Sequence, residues 1–431
     1  MKFNTQNAKI EAITDETMVV GTDIGSEKHY ARAFTNRGIE FSDKPFAFSN
    51  TEEGFLEFSA WMDDLMKKNG MKSVVTGMEP TGHYWFNLGA FLQDRGIRPL
   101  HVNPYHVKQS KEFDDNNPTK NDRKDPKVIA GLVNAGRYSY PYIPKDVYAE
   151  IRCLSNLRLQ AQESLTRVKN RLARWFSIYF PEYKDVYTAP DAVSGIMILK
   201  KAPLPKDIAV LGVEGVNQIW REAKLRGSGL KRAQTLVSAA EHSIGSREAE
   251  ESARIEIADL LDDIERYAKR VNDLIELLDQ KLKEIPYVDK LMAIPGIGKR
   301  TVCGFIAEVG DIRRFDSPKQ LQKLAGLSIV ESSSGKHKGE THISYRGRKR
   351  LRYVLYEAAL SVVARSSEFR VLHDYYTQRR QNPLKKMQSL IAISCKLIRL
   401  FYVILTKGVD YDGTKMLSDI RRPEGQQQTV A

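Results

Sequence analysis

Residues 18–34, MVVGTDIGSEKHYARAF, decide how the first half of this chain is built. Met18, Val19 and Val20 form an apolar run with β-branched members, and Ile24 extends it, the pattern of a buried strand. Asp23 interrupts the run near its end, between Gly21 and Gly25, where the backbone carries no side chain. Tyr30 to Phe34 read as a second strand and Asn36-Arg37-Gly38 as the next turn. The stretch therefore predicts a hairpin with a carboxylate at the tip of its first strand. An aspartate there also serves simply to shape a turn. Its meaning depends on whether other acids come to meet it.

Working outward, Phe46-Ala47-Phe48 reads as a third strand. Phe55, Phe58, Trp61, Met62 and Leu65 recur at helical spacing over 51–69, with Thr51 as cap and Glu52 and Glu53 in the first turn. Residues 72–79, KSVVTGME, form the next buried strand and end in a second acid, Glu79. A helix over 84–95 and a short strand over 96–102 follow. Hairpin, helix, strand, helix, strand is the order of an α/β layered domain. If the strands of Asp23 and Glu79 pair side by side in parallel, both side chains emerge at the carboxyl edge, where such sheets place their sites.

Residues 108–132, KQSKEFDDNNPTKNDRKDPKVIAGL, then crowd acids among lysines. Asp122 and Asp125 are three apart and share a face if helical. Asp125 before Pro126 is also the pattern of a helix cap, and Asp114 and Asp115 are rival acids. Two acids at strand ends and a close acidic pair opening a helix suit Mg²⁺. This hard cation takes carboxylate oxygens and needs few from protein when phosphate supplies the rest.

The chain carries 67 Lys and Arg against 54 Asp and Glu, a net charge of +13. That excess favours nucleic acid as the partner. Cys153, Cys303 and Cys395 lie far apart with no CxxC, which argues against disulfides and a zinc site and suits a reducing cytoplasm. The polar start of the chain lacks an apolar signal-peptide core, and no membrane segment is expected.

GTDIGSEKH (21–29), GMEPTGHYW (77–85) and KNDRKD (120–125) together resemble the D…E…D-x-x-D pattern of the RuvC-like domain of IS110-family transposases, bridge-RNA-guided DNA recombinases. The resemblance runs from about residue 18 to about 405. It implies an RNase H-like α/β fold and a Mg²⁺ site at Asp23, Glu79, Asp122 and Asp125. It also implies donor and target DNA and a bridge RNA as partners, and a homo-oligomer, a dimer or a tetramer on DNA.

Beyond residue 146 the pattern turns helical. A long basic helix runs to Pro181, residues 185–247 show no motif, and 250–285 repeat apolar residues at alternating spacings of four and three. Ile257, Leu261, Ile264, Ala268, Val271, Ile275, Leu278 and Leu282 read as a coiled-coil seam. It pairs either with the preceding long helix or with a second chain. Residues 291–302, LMAIPGIGKRTV, resemble a helix-hairpin-helix turn, with Lys299 and Arg300 placed for a phosphate.

The stretches GLSIVESSSGK (326–336) and HISYRGRKRLR (342–352) resemble the family's second transposase segment. By that resemblance the Ser334-Gly335 pair supplies a serine nucleophile. Ser332 and Ser333 precede it, and taken alone SSSG is an ordinary flexible turn. Lys336, Arg346, Arg348, Lys349, Arg350 and Arg352 are expected to hold the phosphodiester backbone. The chain thus divides into an N-terminal arm (1–17), a RuvC-like domain (18–145), an all-α coiled-coil region (146–285), a mainly α domain with the helix-hairpin-helix-like element and the serine (286–409), and a polar, disordered tail (410–431). A water-using junction nuclease and a non-catalytic nucleic-acid-binding protein are the alternatives to a recombinase.

Overall fold

A computed structural model describes the chain apart from residues 1–5, 42–43, 81, 116–123, 332, 335–336, 340, 380 and 419–431. The chain divides into two units, Met1–Ile143 and Pro144–Ala431. The first holds, in chain order, α1 (Gln6–Glu11), β1 (Thr17–Asp23), β2 (Lys28–Phe34), β3 (Phe46–Ser49), α2 (Glu52–Lys68), β4 (Ser73–Met78), α3 (Trp85–Asp94), β5 (Arg98–Val102), α4 (Pro104–Asp115), α5 (Asp125–Asn134) and β6 (Tyr138–Ser139). The strands form one sheet in the order β3-β2-β1-β4-β5-β6. β1, β4 and β5 run parallel, and β2, β3 and β6 pair antiparallel with their neighbours.

The period-two alternation of the strands sorts side chains between two cores. Met18 and Val20 join Phe55, Phe58 and Leu88 on the face covered by α2 and α3. Val19 joins Ile129 and Val133 of α5 on the other. The predicted cap forms, with Thr51 Oγ1 accepting from the Gly54 N–H at 3.2 Å. Helix α5 lies on bare backbone. A Cβ at Gly21 would come 1.8 Å from the Pro126 carbonyl oxygen, and one at Gly77 would meet Val133 at 2.5 Å. The N-terminal arm is clasped to the turn after α5. Gln6 Nε2 donates to the Ala135 carbonyl at 2.8 Å, and the Tyr138 hydroxyl donates to the Lys9 carbonyl at 3.0 Å.

The second unit contains α6 (Asp146–Tyr179), α7 (Tyr183–Val186), α8 (Val193–Lys201), α9 (Pro205–Glu222), α10 (Leu230–Glu241), α11 (Glu250–Leu282), α12 (Val288–Met292), α13 (Lys299–Val309) and α14 (Pro318–Leu324). The two-residue strands β7 (Ile329–Val330), β8 (Ser333–Ser334), β9 (His337–Lys338) and β10 (His342–Ile343) follow. The unit closes with α15 (Lys349–Arg365), α16 (Ser367–Gln378), α17 (Lys386–Lys407) and α18 (Gly413–Ser418).

Helix α11 pairs antiparallel with α6 of the same chain. Trp175 Nε1 donates to the Ala253 carbonyl at 3.1 Å, Ala161 clusters with Val271 and Leu274, and Ile151 shares a core with Leu278 and Leu282. The buried face also takes in Leu260 and Leu274, while Ala268 and Ile275 are only half-buried. It is broader than a two-position seam because the first half of α11 carries a globular core. There, the motif-free residues 185–247 form helices packed with Trp175 and Trp220 around Ile257, Leu261 and Ile264. The expectation of a disordered tail from 410 fails for its first residues. Met416 on α18 is buried in the C-terminal core, and Tyr411 packs against it. Among the described residues α17 alone is long and apolar enough to cross a membrane. Its Ile393, Leu397, Phe401 and Ile404 are buried in that same core, which marks it as a core helix.

Candidate active site

The parallel pairing of β1 and β4 puts Thr22 beside Met78. The next residues along are Asp23, the last of β1, and Glu79, the first after β4. Val19, Gly21, Val75 and Gly77 all face α5. Alternation therefore assigns Asp23 to the α5 side, and carried one residue past β4 it assigns Glu79 there too. The two acids predicted from the strand ends are register neighbours on one face.

Asp125 opens α5, the helix whose first turn lies on Gly21. It is not the cap expected from the Asp-Pro pair: Lys124 holds that position without a side-chain cap bond, and Asp125 is the first helical residue. Its carboxylate is 7% exposed and receives the Lys111 ammonium of α4 at 2.5 Å. Lys111 escaped the sequence reading because nothing in KQSKEF distinguishes one lysine of a charged run. Asp122 lies outside the described residues, as do the side chains of Asp114 and Asp115. In kind the donors fit a hard dication: carboxylate oxygens, with a cation already seated on Asp125. Among the described residues, no three metal-ligating side chains gather closely enough to hold an ion.

Two histidines support this edge without joining it. His29 is fully buried, and its Nδ1 accepts the Gly25 N–H at 3.2 Å, fixing the turn that follows Asp23. Burial draws its pKa below the usual value. His101 meets Trp85 edge-on, with ring centroids 4.2 Å apart, and burial lowers its pKa to about 4. Leu100 and Val102 face α5, so His101 points to the opposite side of the sheet from the acids.

In the second unit, the two stretches flanking the serines fold onto each other. β7 pairs with β10, the Ser344 N–H donates to the Ser328 carbonyl at 2.8 Å, and the Arg348 N–H donates to the Leu324 carbonyl at 2.7 Å. Between them β8 and β9 form a hairpin in which Ser334 registers opposite His337. Gly335 and Lys336, which follow Ser334 in sequence, and the side chains of Ser333 and Ser334 lie outside the described residues.

The predicted phosphate-binding cations separate into two groups. Arg348 donates to the Glu308 carbonyl at 2.9 Å, Arg350 to Ser155 Oγ at 2.6 Å and Asn156 Oδ1 at 2.6 Å, and Arg352 to the Ala325 carbonyl at 2.9 Å. These three brace the fold. Lys299 pairs with Asp279 of α11 at 2.7 Å. Arg300, Arg346 and Lys349 are exposed. At the hairpin before α13, Gly296 (φ +95°) turns inward. A Cβ there would strike the Ser361 carbonyl at 2.8 Å, whereas Gly298 faces open space.

Comparison with known proteins places the chain among DNA-processing enzymes. A DEDD transposase model of the IS110 type matches residues 20–181, and the model of the transposase IS116/IS110/IS902 family matches residues 288–377. The uncharacterized 44.8 kDa protein of insertion element IS116 from Streptomyces clavuligerus is 23% identical over 66% of this chain and 71% of its own. The uncharacterized 42 kDa protein of insertion element IS900 from Mycobacterium paratuberculosis is 22% identical over 89% and 94%. The pilin gene-inverting protein of Moraxella lacunata is 29% identical over 39% and 54%. The chain belongs to the IS110 family of transposases.

Proposed function

We propose that this transposase cuts and rejoins DNA strands through a serine ester, using a RuvC-like acid site in its first unit and Ser334 in its second. The observation that carries the reading is the register of β1 and β4, which makes Asp23 and Glu79 neighbours on the face toward α5. Asp23, Glu79, Asp122 and Asp125 would hold Mg²⁺, which supplies positive charge against the phosphate oxygens. The Lys111 ammonium on Asp125 occupies the place of a cation until then. Ser334 Oγ bonds to phosphorus as one strand oxygen leaves and takes up the serine proton. Reversal restores the strand, so the phosphodiester energy is conserved and the cut end is never released. Exposed Arg300, Arg346 and Lys349 supply affinity for the backbone. A bridge RNA selects the donor and target sites, and a homo-oligomer brings serine and acids to one phosphodiester.

The test is a cleavage assay with donor and target DNA, co-purified RNA and Mg²⁺, run on denaturing gels with and without protease. A protein–DNA adduct that vanishes in Ser334→Ala, in Asp23→Asn and on chelation, with nucleic-acid binding kept, is the expected result. Cut ends free of protein would replace this reading with a junction nuclease that activates water. Binding with no cleavage under any condition would leave a non-catalytic binding protein.

A further inference from the structure

Arg158 is a half-buried residue of α6, the helix that packs on α13, and its Nε is shielded from water without a hydrogen-bond partner. Among the described residues no ion pair or hydrogen bond reaches its guanidinium. Its electrostatic neighbours worsen the position. Burial and Arg300 both hold its pKa below the usual arginine value, and Arg158 in turn acts on the half-buried Arg350. Cys303 is nearby, but burial pushes its thiol up to about 11, so at neutral pH it carries no negative charge.

Two of the acids in reach are already matched. Asp279 is held by Lys299 at 2.7 Å, and Glu308 by Arg348 at 3.3 Å and Arg350 at 3.6 Å. Glu163, exposed on α6, acts on Arg350. Among the described residues the guanidinium groups of Arg158 and Arg300, which repel one another, are left without an ion pair or hydrogen bond, Arg300 open to solvent on the first turn of the eleven-residue α13. A donor shielded from water without a partner, on a half-buried guanidinium among like charges, is disfavoured unless an anion completes the cluster. A planar guanidinium presents its N–H groups in the fork that matches a phosphate oxygen pair.

We infer that Arg158 and Arg300 form a built oxyanion site for a phosphodiester of the bound nucleic-acid strand. The inference deepens the recombinase reading and rests on its nucleic-acid partner. It gives Arg158, which no sequence motif marks, the role of a half-buried anchor, with Arg300 as the exposed half of the same clamp. Arg350, on which Arg158 acts, is fixed to α6 by Ser155 and Asn156.

The test measures binding of labelled duplex DNA and of labelled RNA to the full chain between about 0.05 and 0.2 M KCl, for wild type, Arg158→Gln and Arg300→Gln. Each variant should bind about tenfold more weakly near 0.15 M salt, with the slope of log affinity against log salt reduced by about one. A loss confined to RNA, or to DNA, assigns the phosphate to that strand. Inorganic phosphate should also raise the melting temperature of wild type, at constant ionic strength, and not that of Arg158→Gln. Arg300 is exposed, so Arg300→Gln keeps the test valid if Arg158→Gln folds poorly. Wild-type affinity and slope on both nucleic acids in folded variants would overturn the site while leaving the recombinase reading intact. A wild-type protein that binds neither nucleic acid, yet is stabilised by phosphate, would overturn both and leave an adventitious ion only.

Discussion

The acid edge and the serine hairpin are two halves of one proposed chemistry built in opposite ways. Asp23 ends a strand hydrogen-bonded on both sides, to β2 and to β4, and α5 is pressed against its backbone at Gly21. Its position follows from a ladder and a packed helix. Ser334 ends a two-residue strand that pairs, among the described residues, with another two-residue strand. That hairpin stands at the end of a ribbon held to the helical core by Arg348 and Arg352. Metal-binding acids need several fixed oxygens at once, which a sheet edge supplies. A nucleophile must approach a phosphorus and later withdraw, and a short ribbon on a rigid core permits that.

The largest effect should come from breaking the acid edge at its backbone. Gly21→Val places side-chain atoms where the Pro126 carbonyl lies, so α5 must leave the sheet. A loss of about 4 kcal/mol or more is expected, read as a fall in denaturant midpoint. Gly298→Ala, at the open hairpin of the second unit, should cost under about 1 kcal/mol.

Next in size are the chemical substitutions. Asp23→Asn and Ser334→Ala should each reduce strand cleavage about a thousandfold or more, while changing the melting temperature little. Mixing the two variants should restore part of the activity if acids and serine act between protomers. Recovery no greater than either variant alone would confine the reaction to one chain.

Lys111→Ala sharpens the comparison by uncovering a single acid. The Asp125 carboxylate is 7% exposed and would lose its cation, at a cost of about 2 kcal/mol. Added Mg²⁺ should recover part of that stability, and Mg²⁺ without effect would argue that Asp125 takes no part in metal binding.

The smallest effect is a pH dependence confined to the sheet unit. Burial lowers the His101 pKa from 6.5 to about 4, so between those values the unfolded chain binds more protons than the folded one. Stability is therefore full above pH 6.5 and falls as the pH drops toward 4. The lowered His29 acts in the same direction. Hydrogen exchange at pH 5 should show β1, β4 and β5 losing protection before α13 and α15. His101→Phe should flatten the profile, and an unchanged profile would remove His101 as its cause.

The strands, the capped helix after Thr51 and the acids at strand ends were legible because each is written in a few adjacent residues. Apolar alternation, a glycine, a capping hydroxyl and a terminal carboxylate act locally, and the parallel pairing of β1 and β4 is consistent with two such runs separated by two further strands and a helix. The motifs also identified the family. Pairing between distant surfaces carries no such local mark. The apolar stripe of α11 reads alike whether its partner is another chain or α6, and only the fold shows that α6 covers it. Arg348, Arg350 and Arg352 look like a phosphate-binding run, yet their guanidinium groups satisfy Glu308, Ser155, Asn156 and Ala325. Arg158 looks like one more charge on a basic helix, and among the described residues it is left without a partner. Net charge is a sum over residues and the sequence by itself determines it. Which charges are paired depends on contacts between segments up to about two hundred residues apart, such as Arg350 with Ser155, and the tertiary structure alone decides those.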